Sequence, residues 1–276
     1  RLAFAVEGLH AFPKVLAAAQ ARIAVAFEFD GNRQRRVLGV VEQLLGRALG
    51  EWGEAAQLID RIHKTTKEFF DATTVNGLIR NARQPERVRP LMESYYAANP
   101  MTLHRLDSFR TLQPLTMDNQ ANFWMASVNL DNQETRNLLI EILPSGEARV
   151  DWETLVCYQP MRWDDFAKTK PHGVSYDFRV YVQQDNFFSH EFADSSRWNC
   201  FRLTAIDSDE TLFGYTPVDA ELSKTLLEQL QLNGGGGASM ILRLNIPAGL
   251  QSRSGVIIEK LMSPRWIYMT PPDSGS

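Results

Sequence analysis

Cysteine is scarce in this 276-residue chain: there are two, Cys157 and Cys200. Two thiols cannot build a disulfide framework, and their wide separation excludes a CxxC metal or redox motif. Both are expected to be free, because Cys157 closes a first run of strands and Cys200 lies in a second. Long apolar stretches are also missing. No run of about 18 uninterrupted apolar residues occurs, so no spanning helix is expected. The opening "RLAFAVEGLHAFPKVLAAAQARIAV" is broken by Glu7, Pro13 and Lys14, unlike a secretory signal. Charge of one sign is lacking too. A net charge of -4 and a pI near 5.8 give no global attraction to phosphate backbones or anionic lipid.

Several chemical motifs are absent as well. There is no GxSxG nucleophile elbow. "NGGGGASM" lacks the Lys-Ser/Thr of a phosphate loop and leads into a strand, not a helix. The five histidines form no HxH or HxxxH pair. The one dense group, "HEFAD" with His190, Glu191 and Asp194, reads as solvated loop charge. No catalytic residue, metal site or cofactor is expected.

What is present suits two domains. "AAQLIDRIHKTTKEFFDA" repeats Leu58, Ile59, Ile62, Phe69 and Phe70 at helical spacing. Thr73 and Thr74 precede "VNGLIRNA" as caps, and "PERVRPLMESYYAANP" reads as a further helix. After Pro100 the period drops to two. "LHRLDSFRTLQ", "NFWMASVNL", "RNLLIEIL" and "ARVDWETLVCYQ" are four strand candidates separated by polar turns. A boundary is expected at 161–172, around the short helix "WDDFAKT". The second block then runs strand, strand, strand, helix, strand, strand to residue 268. Residues 1–54 read as a helical extension and 269–276 as a tail. The basic residues favour the first hundred positions, and the second block is acidic.

Helices followed by a bent four-strand meander resemble the cone-shaped fold shared by nuclear transport factor 2 and ketosteroid isomerase, here over 55–160. The strand order of 173–268 resembles an OB-fold, a small five-stranded barrel with its helix between the third and fourth strands. "RQPERVRPLMESYY", "RVDWETLVCYQPMRWDDF" and "RWNCFRLT" are similar to an uncharacterised bacterial family whose members often carry an N-terminal anchor. That resemblance implies a cell-envelope setting and brings no activity with it. The expected fold class is therefore α+β: helices packed on a curved antiparallel sheet, followed by a small OB-like barrel.

The cone resemblance makes Tyr95, Tyr96, Trp124 and Trp152 candidate pocket-lining residues. An isomerase of that kind needs a carboxylate base opposite a hydrogen-bond donor in an apolar pocket. If "ARVDWETLV" is a strand with Trp152 facing the pocket, Asp151 and Glu153 point away from it. In "VSYDFRVYVQ", Tyr176, Phe178, Val180 and Val182 face inward, leaving Asp177, Arg179 and Tyr181 outside. In "RWNCFRLTAI", Phe201, Leu203 and Ala205 face inward, leaving Trp198, Cys200, Arg202 and Thr204 outside. Arg179, Tyr181, Trp198 and Arg202 then form one outer platform, with Trp163 of the boundary helix as its nearest covering residue. Two arginines in an acidic block cannot neutralise several phosphates, so protein is the expected partner and nucleic acid an unfavourable one. The stretch "DNFFSHEFADSSRWNCFRL" is expected to be a strand end, a wide aromatic turn and a strand start. Phe187, Phe188 and Phe192 of that turn should pack against the barrel mouth. The expectation is a non-catalytic binding or assembly module; a small-molecule site or isomerase in the cone, and single-stranded nucleic acid on the barrel, are the alternatives.

Overall fold

The computed structural model describes residues 53–101, 104–117 and 121–269. The N-terminal extension, but for its last two positions, and the tail beyond Met269 lie outside those residues. The chain is α+β and divides into two compact units between Asp151 and Trp152. The division falls ahead of the expected 161–172.

In the first unit, helix α1 runs through residues 53–70 and buries Ile62, Thr66 and Phe69 at steps of four and three, one stripe of a helix. Helix α2 (Val75–Asn81) opens on Thr74, whose hydroxyl accepts from the Gly77 amide at 3.1 Å. That bond satisfies one of the free amides of the first turn. Helix α3 (Pro85–Ala98) begins on a proline, which loses nothing by having no amide hydrogen there. Strands β1 (Leu106–Met117), β2 (Ala121–Leu130), β3 (Thr135–Ile142) and β4 (Ala148–Val150) follow as an antiparallel meander. Ala126, Val128, Leu138, Ile140 and Val150 are fully buried. The ring of His63 from α1 stacks on Phe109, which pairs with Val128, so α1 lies on that face of the sheet.

The expected fourth strand is cut short. After Val150 the chain turns into helix α4 (Trp152–Leu155). Its turn is closed by Val156 N–H to Trp152 C=O at 3.0 Å and Tyr158 N–H to Glu153 C=O at 2.8 Å, with Cys157 at φ +47°. Asp151 and Glu153, placed outward by strand alternation, are both 4% exposed. Each meets a buried arginine of its own unit. Asp151 takes Arg83 Nη1 at 3.3 Å, and Glu153 takes Arg179 Nη2 at 3.3 Å.

The second unit is a closed barrel of order β5–β6–β7–β9–β8. Its strands are β5 (Ser175–Asp185), β6 (Trp198–Thr204), β7 (Thr211–Pro217), β8 (Ala238–Asn245) and β9 (Gly255–Ser263). All neighbours are antiparallel except β7 and β9. Helix α5 (Trp163–Thr169) precedes the barrel, and helix α6 (Glu221–Leu232) lies between β7 and β8. The interior holds Phe178, Val180, Val182, Phe201, Leu203, Met240, Leu242 and Leu244, with Trp163 and Phe166 from α5 and Leu226 and Leu230 from α6. Burying each such side chain is worth about 1.5–3 kcal/mol, which makes this cluster the main stabiliser of the unit. No helix among the described residues is long and apolar enough to cross a membrane.

Candidate functional site

The four cone candidates separate. Tyr95 and Tyr96 are half-buried on α3, edge to face with ring centroids 5.1 Å apart. Trp124 is half-buried on β2, between Pro114 and Ile140 of the neighbouring strands and on the same face as Ala126. Trp152 belongs to the second unit, where it is 1% exposed and its ring tilts against Tyr158 at 5.5 Å. Among the acids of the first unit, Asp107 lies exposed and accepts from Ser108. Asp151 and Glu141 both bind Arg83, which is 4% exposed and sits over the Phe123 ring. Both carboxylates are thereby engaged as acceptors of one buried guanidinium, in a charge-assisted pairing.

The outer face of the barrel is divided into a covered end, an open middle and a second covered end. At the first end stands Arg179, expected on the open platform but 2% exposed. Its guanidinium donates to Tyr158 C=O at 2.6 Å and Trp266 C=O at 3.1 Å and pairs with Glu153, and Tyr268 lies beside it. Gln159 closes the neighbouring backbone, donating to Arg179 C=O and accepting from Arg179 N–H. Arg179 points outward, as alternation requires. It is covered by chain segments that lie far from it in sequence. Trp163 is likewise not on this face. It is 1% exposed in the barrel interior, edge on to Phe178 at 5.2 Å, with its indole N–H on Glu210 C=O at 2.8 Å.

At the second end, the connection between β5 and β6 folds back over the sheet. Phe192 lies flat on Tyr215 at 3.8 Å and 6°, and edge on to Trp198 at 5.1 Å. Phe187 stacks on Phe213 at 4.3 Å. The Tyr215 hydroxyl donates to Phe187 C=O at 2.6 Å. Cys200 is sealed beneath, 1% exposed. Burial pushes its thiol up to about 11 and drives the Tyr215 phenol above its ordinary range. The aromatic turn therefore covers the outer face, where a position at the mouth was expected. Both cysteines are free, with Cys157 half-buried.

Between these ends Tyr181 is 39% exposed, and Phe187, at the rim of the second, is 41% exposed. Arg202 pairs across the sheet with Gln183 and with Phe213. Its Nε binds Asp185 Oδ2 at 2.8 Å, so its charge is locally balanced. The Tyr181 hydroxyl and Gln183 Nε2 both donate to Gly236 C=O. A Cβ at Gly237, whose φ is +116°, would stand 2.7 Å from that hydroxyl, so the glycine-rich loop approaches the face only because it has no side chains. Of the four platform residues, Tyr181 and Arg202 occupy the open middle, Trp198 is half-buried under Phe192, and Arg179 is withdrawn. The aromatic turn signalled that Phe192 packs on the barrel, but the covering role of Glu153 and Trp266 carried no local signal in the sequence. Comparison with protein-family models, curated proteins and solved structures finds no match. Among the described residues, no cluster of three His, Cys, Asp or Glu side chains is placed to hold a metal ion.

Proposed function

We propose that this chain is a non-catalytic protein-binding module, built from a cone-like helix-and-sheet unit and an OB-like barrel. The barrel order, with a parallel β7–β9 contact and a helix between the third and fourth strands, supports the second resemblance. Helices preceding an antiparallel meander support the first. The observation that carries the functional reading is the composition of the open strip. Tyr181, Phe187 and Arg202 are the residue types that concentrate binding energy when a partner covers them. Arg202 is already neutralised by Asp185, which removes the unpaired positive charge that a phosphate backbone requires. The engagement of Asp151 and Glu141 by Arg83 weighs against an isomerase-like base in the first unit.

A photo-reactive phenylalanine at position 187 tests the reading in the cell of origin. A discrete cross-linked protein that disappears on adding Tyr181→Glu is the expected result. Titration of a labelled oligothymidylate at moderate salt should show no saturable binding. Saturable binding that weakens in Tyr181→Ala and Arg202→Ala would replace the protein partner with single-stranded nucleic acid.

A further inference from the structure

We propose that residues 186–197 form a lid on the β5–β6–β7 face, latched by the Glu191 carboxylate, that opens as a unit while the barrel stays folded. The lid is rooted at both ends. Asp185 Oδ1 accepts from the Asn186 and Phe187 amides, and Arg197 C=O accepts from the Val218 amide. Between the roots, one buried ring and two hydrogen-bonding groups anchor it. The Phe192 ring, 2% exposed, lies on Tyr215 and against Gly255, where an added Cβ would stand 2.8 Å from the ring. The Tyr215 hydroxyl bonds to Phe187 C=O. The Glu191 carboxylate accepts from two successive amides of a distant loop, Gln251 and Ser252.

Phe187 stacks on Phe213 and the half-buried Phe188 packs against the Phe192–Cys200–Tyr215 cluster; the remaining side chains contribute little. Asn186, Phe187, His190, Glu191 and Ala193 through Arg197 are exposed. His190 holds a left-handed φ of +51°, which disfavours a residue with a side chain. Asp194 accepts from the Ser196 amide and hydroxyl and from the Arg197 amide, all within the lid. A segment with one buried ring and two anchoring groups opens at lower free energy than the barrel core, which is sealed by eighteen buried side chains. The latch also joins the lid to Lys170, whose Nζ donates to Ser252 C=O at 3.0 Å. The titratable groups facing it are His190 and Lys170, and Arg253 stands beside Lys170. Opening bares Cys200, Phe213 and Tyr215. Phe187 belongs to both the lid and the open strip, but the opening is read from Cys200 and needs no partner.

Cys200 reports the motion. The full chain is treated with a maleimide across a urea series below the unfolding transition, and the labelled cysteine is identified by peptide mass spectrometry. The lid predicts Cys200 labelling whose rate changes little with urea, because a local opening exposes little surface. Glu191→Gln should speed it by about tenfold, what the loss of one charge-assisted hydrogen bond to a backbone amide is worth. Asp194→Asn should leave it unchanged. Labelling that carries the urea slope of global unfolding overturns the lid, as does a Glu191→Gln rate equal to that of the unaltered chain. If Glu191→Gln does not fold, the urea slope of the unaltered chain decides alone.

Discussion

Phe192 lies on Tyr215 with the two rings 3.8 Å apart and 6° from parallel. One ring comes from a connecting loop and the other from the third barrel strand, so the protein fills part of its own outer face with its own aromatic side chains. That arrangement seats a surface loop on the barrel face through one buried ring.

Phe192→Ala should therefore cost about 3–5 kcal/mol, the range for truncating a fully buried aromatic side chain. Phe187→Ala, which removes a half-exposed ring stacked on Phe213, should cost about 0.5–1.5 kcal/mol. Chemical denaturation of both variants checks the contrast. Equal costs would mean that the two rings are equally seated.

Arg179 is surrounded by Glu153 and the carbonyls of Tyr158 and Trp266. Arg179→Ala breaks a buried ion pair with Glu153 and should destabilise by about 3–5 kcal/mol. Combining it with Glu153→Leu should recover part of that loss, giving a non-additive double-mutant cycle. Additive losses in equilibrium unfolding would show that the pair is not energetically coupled.

Cys200 has a folded-state value raised by burial from the ordinary 9.0 to about 11. A raised value means that the folded state prefers the protonated thiol. The associated stability is fully present below pH 9 and is lost as pH rises from about 9 to about 11. Cys200→Ala should flatten this part of the stability profile in thermal melts taken across that range.

Glu191 is held below its ordinary value, first by the Gln251 amide, then by its own backbone amide, the Ser252 amide and the nearby His190. A depressed carboxylate stabilises the fold above the usual glutamate range, and that stabilisation is lost as pH falls through its folded value. The Gln251 and Ser252 amides should lose hydrogen-exchange protection on acidification, after correction for the intrinsic rate. In Glu191→Gln that acid-dependent change should vanish.

The parts of this protein that follow local periodicity were legible in its sequence. Alternation put Phe178, Val180, Val182, Phe201 and Leu203 inside the barrel, where all five are fully buried. Helical spacing, Thr73 and Thr74 as caps and Pro85 or Pro90 near a helix start marked α2 and α3, and the structure places Thr74 at the cap and Pro85 in the first turn. The same alternation misled in "ARVDWETLV", because Val150, Trp152 and Thr154 mimic a strand face while the acids between them are claimed by arginines.

What the sequence by itself determined is which side of the first two barrel strands faces inward, since a side chain's direction is set by its own backbone. Only the tertiary structure decided what covers the other side. Arg179 is buried by Tyr158, Trp266 and Tyr268, and Tyr215 by Phe192. Those contacts join segments distant along the chain, and no spacing rule reaches across a loop closure. Burial of an outward charge becomes favourable only when a distant carboxylate and distant carbonyls arrive to replace its water.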